Sequence, residues 1–170
     1  MNDKADFYIS KLQLNPHPEG GYYKEVYRSD EIIEAVHLPV RYKSSRAFST
    51  SIFFLLKNDQ VSMFHKLKSD EIWHFYDGCG VKIYVIEKNG IKREVLLGNK
   101  LEQGELPQVI INKNSWFGAE LLNKSSFCLI GCTVSPGFEF KDFKLGEREK
   151  LLKLFPQHEN IIKKLTKFDT

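Results

Sequence analysis

Cysteine is scarce in this chain and falls into no pattern: Cys79, Cys128 and Cys132 are an odd number with no CxxC pair, which fits a reducing compartment better than a disulfide framework. In FCLIGC the strand parity puts Cys128 and Cys132 on one face, where free thiols act as small hydrophobes and not as nucleophiles. Long hydrophobic runs are missing too. No stretch approaches the roughly 18 apolar residues that span a bilayer. The N-terminus, MNDKADFYISKLQL, has early acidic residues and no continuous apolar segment, unlike a signal or transit peptide. The expectation is a cytoplasmic protein with no membrane partner. An excess of one charge is also absent, because 25 Lys+Arg stand against 22 Asp+Glu for a net charge of +3. The Lys-rich IIKKLTKF reads as the wet side of a helix, and the aromatics sit in apolar strand runs, so no nucleic-acid partner is expected. There is no internal repeat and no low-complexity segment.

What the chain has is aromatic and apolar residues in short alternating runs. Its 170 residues, 42% hydrophobic and 13% aromatic, suit one domain spanning 1–170. Residues Ala5 to Leu14 have helical spacing, and NPHPEGG stops that helix. YYKEVYRS then alternates as a strand, with Tyr23, Glu25 and Tyr27 on one face and Tyr22, Lys24, Val26 and Arg28 on the other. Residues Ser29 to Ser45 read as a long loop or broken edge hairpin. KNDQ turns FSTSIFFLL back into VSMFH, so the central stretch reads as part of an antiparallel run of strands, and Asn89-Gly90 marks a hairpin between VKIYVIE and IKREVLLG. QVIIN, WFGAELL and FCLIGCTVS bring the total to about eight or nine short strands. That is the spacing of an all-β sandwich or barrel, placed at about 20–140. Two helices separated by Pro156 follow as a tail over 146–168.

The stretch HKLKSDEIWHFYDG, His65 to Gly78, carries the chemistry. A His and a Glu brought together across two strands in a concave site can ligate a metal or exchange protons; in a closed core they simply hydrogen-bond. Glu71, Trp73 and Phe75 share one strand face, and His74 points to the other. Trp73 is a candidate stacking wall, and His74 joins the pocket only if a bulge rotates it inward. Gln108 leads a buried strand and needs a partner. Trp116 follows a turn and is placed at the barrel mouth. Arg28 suits a phosphate or carboxylate. Ser49 with Ser51, or Thr50 opposite them, lines the pocket. Glu19-Gly20-Gly21 reads as a tight turn.

The central spacing resembles the first motif of the cupin superfamily, G-x5-H-x-H-x3-E-x6-G, with His65 at the first His, Leu67 at the second, Glu71 at the Glu and Gly78 at the closing Gly. The second cupin motif falls on VIINKNSWFGAEL, where Phe117 stands at the His. More of the chain, from His17 to Phe143, is similar to an uncharacterised cupin-like branch related in fold to sugar-nucleotide epimerases. HPEGGYYKEVYRS, STSIFFLL, SDEIWHFYDG, PQVIIN with SWFGAEL, and GCTVSPGFEFKDF carry that likeness. The resemblance implies a double-sheet jelly roll, commonly dimeric, with a small-molecule site inside the barrel.

The expected function is a small-molecule-binding cupin, an isomerase or epimerase using acid–base chemistry on a carbohydrate-like or nucleotide-linked substrate. His65 is the expected base and Glu71 orients it. The alternative is a non-catalytic module that binds or senses its ligand. No cofactor is expected, and the expected partners are a ligand in the barrel and a second copy of the chain. Any metal would rest weakly on His65 and Glu71, since Leu67 and Phe117 remove two ligands.

Overall fold

A computed structural model describes residues 2–167; the last position of the expected tail, 168, lies outside them. The elements in chain order are α1 (Asn2–Lys11), β1 (Asn15–Pro16), β2 (Tyr22–Arg28), β3 (Ile32–Ile33), β4 (Arg46–Ala47), β5 (Thr50–Lys57), β6 (Val61–Lys66) and β7 (Asp70–Gly78). They continue with β8 (Val81–Ile86), β9 (Lys92–Leu97), β10 (Glu105–Leu106), β11 (Gln108–Ile111), β12 (Trp116–Leu121), β13 (Phe127–Ser135), β14 (Lys144–Leu145), α2 (Arg148–Leu154) and α3 (Glu159–Lys164). Two six-stranded sheets result, ordered β1-β2-β5-β13-β7-β11 and β10-β9-β8-β12-β6-β14, with β3 and β4 pairing apart from them. The expected loop or edge hairpin over 29–45 thus contains β3 and a single turn of helix before β4. Among the described ladders, only the short β10–β9 pair is parallel. This is the two-sheet jelly roll.

The inner faces of the sheets meet in a core that includes Phe54, Trp73, Ile83, Phe117, Ala119 and Ile130. Burying one large apolar side chain contributes about 1.5–3 kcal/mol, so this layer dominates the stability. The outer faces are also covered. Helix α1 packs Ala5 over Leu55, Phe127 and Leu129, and the tail packs Leu151, Ile162 and Leu165 over Phe64, Tyr84 and Trp116. Strand β5 is therefore apolar on both faces because Phe54 and Leu56 face the barrel while Leu55 and partly buried Phe53 face α1. No helix among the described residues is long and apolar enough to cross a membrane.

Two irregularities reset the parity of the strands. The β2–β5 ladder pairs Glu25 with Ile52 and then Tyr27 with Ser51, leaving Val26 as an extra residue. That bulge turns Arg28 onto the face of Tyr23 and Glu25, which simple alternation denies it. In β7 a second bulge lies opposite Leu129 and Ile130, leaving Tyr76 unpaired beyond Phe75.

After β13 the chain crosses the barrel end through residues 136–143 and rejoins the second sheet as β14. This crossing is held by polar bonds. The Phe138 N–H donates to Thr50 Oγ1 at 2.9 Å, and Ser69 Oγ donates to the Pro136 carbonyl at 2.8 Å. Asp142 accepts from Arg46 Nε at 2.6 Å and Nη2 at 2.7 Å, with Lys68 Nζ 3.0 Å away. The Arg46 side chain is fully buried, and its proximity holds the Asp142 carboxyl below its ordinary value against the opposing effect of burial. Removing one partner of a buried ion pair strands the other charge. Arg46→Ala is expected to cost about 3 kcal/mol in urea unfolding, the low end for such pairs because Lys68 remains; a loss below about 1 kcal/mol would show that the pair does not anchor the crossing.

Candidate functional site

The crossing segment roofs a cavity of about 280 Å³ between the sheets. Strand β2 contributes Tyr23, Glu25 and Arg28 to its wall; β5 contributes Thr50, Ile52 and Phe54; β13 contributes Cys132 and Val134. His65 comes from β6, Glu71 from β7, and His17 and Glu19 from the turn before β2.

Glu19 is the polar centre. Its turn is pinned to β6 by the Met63 N–H, which donates to the Glu19 carbonyl at 2.8 Å. The next residue must be glycine: Gly20 has φ +108, and a Cβ there would lie 2.2 Å from the Val61 carbonyl oxygen. Ser62 Oγ donates to Glu19 Oε1 at 2.7 Å. Glu19 Oε2 lies 3.2 Å from His65 Nε2 and 3.4 Å from His17 Nδ1.

The protons in this cluster follow from the partners. His65 Nδ1 is 2.7 Å from the Met63 carbonyl, which can only accept, so Nδ1 carries the hydrogen and Nε2 of a neutral ring is a lone pair. His17 Nδ1 accepts the Glu19 backbone N–H at 3.3 Å and is likewise a lone pair. Both imidazoles then present acceptors to Glu19 Oε2, and a hydrogen bond forms only if Glu19 holds a proton. Burial acts the same way on each member. It pushes the Glu19 carboxyl well above its usual range, with Glu71 adding to the rise and Ser62 opposing it. It lowers His65 to about 3 and His17 to about 4. The contact is accordingly a neutral acid donating to a neutral imidazole, and not an ion pair. His65 is also wedged between rings, with centroids 4.0 Å from Phe117 and 5.3 Å from Phe143.

Glu71 is different, because it has no such partner. It is 7% exposed, and its Oε2, like Trp73 Nε1, is buried without a hydrogen-bond partner among the described residues. Burial raises the Glu71 carboxyl to about 7, and the nearby Trp73 and Cys132 side chains temper the rise. Burial also pushes the Cys132 thiol well up, so it is no thiolate nucleophile.

Of the residues singled out from sequence, the structure brings His65, Glu71, Arg28 and Thr50 to the cavity wall. The others lie elsewhere, each for a physical reason. Trp73 follows Glu71 inward but one layer deeper, in the core against Phe54 and Phe117. His74 keeps the opposite parity, with Nε2 3.3 Å from Thr133 Oγ1. Gln108 and Ile110 face outward while Val109 and Ile111 are buried, the reverse of the face expected for Gln108. Trp116 packs under the helical tail and not at the mouth. Ser49 Oγ donates to the Val134 carbonyl at 3.2 Å, and Thr50 is the residue that lines the cavity. The sequence reading missed His17 and Glu19, although HPEGG put a His and a Glu beside a glycine pair, and it missed the Phe138–Phe143 roof.

The metal expected of a cupin does not fit these side chains. Leu67 fills its ligand position with alkyl carbon and is buried at the cavity wall, and the Phe117 ring lies against the His65 imidazole. Among the described residues no group of three His, Cys, Asp or Glu is arranged to hold a metal ion.

Residues 6–146 match the family described as Cupin superfamily (DUF985). An uncharacterised protein of Saccharomyces cerevisiae is 32% identical over 153 residues, covering 83% of this chain and 75% of that protein. A solved structure of a protein from Shewanella oneidensis has a TM-score of 0.87 and 39% identity over 96% of this chain and 97% of its own. A hypothetical protein from Leishmania major gives 0.88 and 35%, covering 95% of this chain and 98% of its own. Oxalate decarboxylase from Bacillus subtilis shares the fold alone, at 14% identity and a TM-score of 0.54 over 89% of this chain and 36% of that one.

The sign of the pH effect follows from Glu71. Its folded value of about 7 stands above the ordinary 4.5, so its stabilising contribution is fully present below 4.5 and is lost as pH rises toward 7. Glu19 faces it and shifts in the same direction. Glu71→Gln, which stays neutral, is expected to gain on the wild type by about 3 kcal/mol between pH 4 and pH 8 in urea unfolding. An unchanged difference across that range would mean that Glu71 ionises as freely in the folded protein as in the unfolded chain.

Proposed function

The chain belongs to the cupin superfamily, in the family described as DUF985, and from that membership we propose that it binds a small organic molecule in the barrel and isomerises or epimerises it by metal-free acid–base chemistry. The observation that carries this reading is the buried, unpartnered Glu71 Oε2 at the cavity wall. A general base works best when its pKa lies near the operating pH, and about 7 for Glu71 meets that condition. His65, lowered to about 3, does not. The roles assigned from sequence therefore exchange: Glu71 takes the proton, and His65 positions the acid.

In this scheme the Glu71 carboxylate accepts a proton from the substrate and becomes a carboxylic acid. The electron pair left behind shifts within the substrate, and the Glu19 carboxylic acid delivers its own proton to the position where the pair arrives. Product and reactant then have the same composition. Transfer of one proton from Glu71 to the Glu19 carboxylate restores the starting state. His65 accepts from the Glu19 carboxylic acid and His17 accepts the Glu19 backbone N–H, which together fix the orientation of the carboxyl. A nucleotide-linked substrate is disfavoured, because Arg28 is already occupied by Glu25, Glu139 and the Phe138 carbonyl. The second reading, a ligand-binding module without turnover, draws on the weak basicity of the two imidazoles.

The scheme predicts isotope exchange. When the protein is incubated with a small-molecule extract in D2O, mass spectrometry is expected to find a compound that gains deuterium with the wild type and not with Glu71→Gln. Retention of a compound without deuterium gain in either protein would favour the non-catalytic module.

A further inference from the structure

Resting on the reading that the barrel cavity is the small-molecule site, we propose that its occupant is an organic cation, a protonated or quaternary amine seated among aromatic rings with Glu71 as its counter-charge. Three independent features point to this class. The first is the state of Arg28, the only Lys or Arg among the described residues lining the cavity. Its Nε and Nη2 bond Glu25 at 3.0 and 2.8 Å, its Nη1 bonds Glu139 at 3.0 Å, and Nη2 also reaches the Phe138 carbonyl at 3.1 Å. Four of its five N–H donors are thereby used, and no two-pronged grip on a phosphate or carboxylate remains. One guanidinium against two carboxylates leaves the entrance net negative, which repels anions and draws cations.

The second feature is the wall. Tyr23, Phe54, Phe138, Phe140 and Phe143 all line the cavity. The last three lie edge to face, with centroids 5.1 Å apart for Phe138–Phe140 and 6.4 Å apart for Phe140–Phe143. Aromatic faces gathered around a desolvated space attract ammonium groups, by about 2 kcal/mol or more when water is excluded.

The third feature is Glu71 itself, 7% exposed, with Oε2 unpartnered. A buried carboxylate is costly unless a cation or a donor reaches it. The surrounding groups offer no cation: His17 and His65 direct accepting nitrogens at Glu19, and the Trp73 N–H and the buried Cys132 thiol are neutral donors that only temper the rise of the Glu71 carboxyl. An ammonium group entering from the mouth would meet Glu71 as the open acceptor, and its N–H or N–CH₃ groups would pack on the rings.

A matched probe series separates this proposal from the broader one: benzylamine, benzyltrimethylammonium, benzyl alcohol and benzoate, titrated by calorimetry at pH 8, with the Glu71 side-chain carboxyl ¹³C resonance reporting where each binds. Both cations are expected to bind about ten-fold more tightly than benzyl alcohol, with benzoate weakest. Glu71→Gln should erase that preference while keeping benzyl alcohol within about two-fold. Phe140→Ala, at a half-exposed roof position, should weaken benzyltrimethylammonium about five-fold even if the Glu71 variant fails to fold. Benzyl alcohol or benzoate binding as tightly as the amines, with the Glu71 resonance moving, would overturn the cation assignment and leave the cavity reading intact. Amine affinity unchanged by Glu71→Gln would overturn it as well. If none of the four probes moves that resonance, both fall.

Discussion

The carboxyl group of Glu19 holds the end of the barrel together and sets the chemistry within it. Its backbone carbonyl ties the first turn to β6, its Oε1 takes the Ser62 hydroxyl, and its Oε2 stands between two imidazoles. A carboxylate in that buried position would face two lone pairs, whereas a carboxylic acid meets an acceptor. The resting arrangement therefore depends on one proton on Glu19, and burial is what favours it there.

From that proton the rest of the site follows. Because Glu19 is neutral, His65 has no anion to stabilise its imidazolium, and the packed rings of Phe117 and Phe143 keep it desolvated. Among the described residues Glu71 is then the deeply buried carboxyl at the wall with an unpartnered oxygen, Oε2, and charge inside the cavity is decided there. The roof is kept in place at a distance from this chemistry, by Arg46 and Asp142. Leucine and phenylalanine stand in two ligand positions of the cupin motifs, so packing occupies the place of coordination, and the remaining His and Glu take hydrogen-bonding and, in the proposed scheme, proton-transfer roles.

Much of the fold was legible in the sequence because strand parity and turn chemistry are local. Asn89-Gly90 and the alternation in VKIYVIE fix the β8–β9 pair without long-range information, whereas KNDQ links β5 to β6 across the two sheets and does not pair them, and the apolar faces of β5 and β13 require two layers to cover them. The site was legible only in part. His65 and Glu71 came from spacing, but Glu19 is brought to them by a turn whose glycines read as simple chain reversal. Arg28 is expected at the ligand from its chemistry although alternation puts it on the face opposite Tyr23 and Glu25, and the Val26 bulge, set by the register of β2 against β5, is what brings it to their face. The Gln108 face was misassigned because a polar first residue was read as needing a buried partner, while on β11 it faces outward. The roof escaped notice because residues 136–143 have no periodicity, and their place is fixed by a buried ion pair with a residue far away in the chain.

The protonation state of His65 tests the account most directly. Long-range ¹H–¹⁵N correlation spectra of the uniformly ¹⁵N-labelled protein, with His65 assigned through a His65→Gln variant, report the tautomer from the two ring nitrogen shifts. The account predicts a neutral ring with the hydrogen on Nδ1, unchanged from pH 5 to pH 8, as expected for a group whose burial lowers it to about 3. A ring that is doubly protonated at pH 5 and titrates at or above its ordinary value would mean that Glu19 is ionised and that the centre of the barrel is an ion pair.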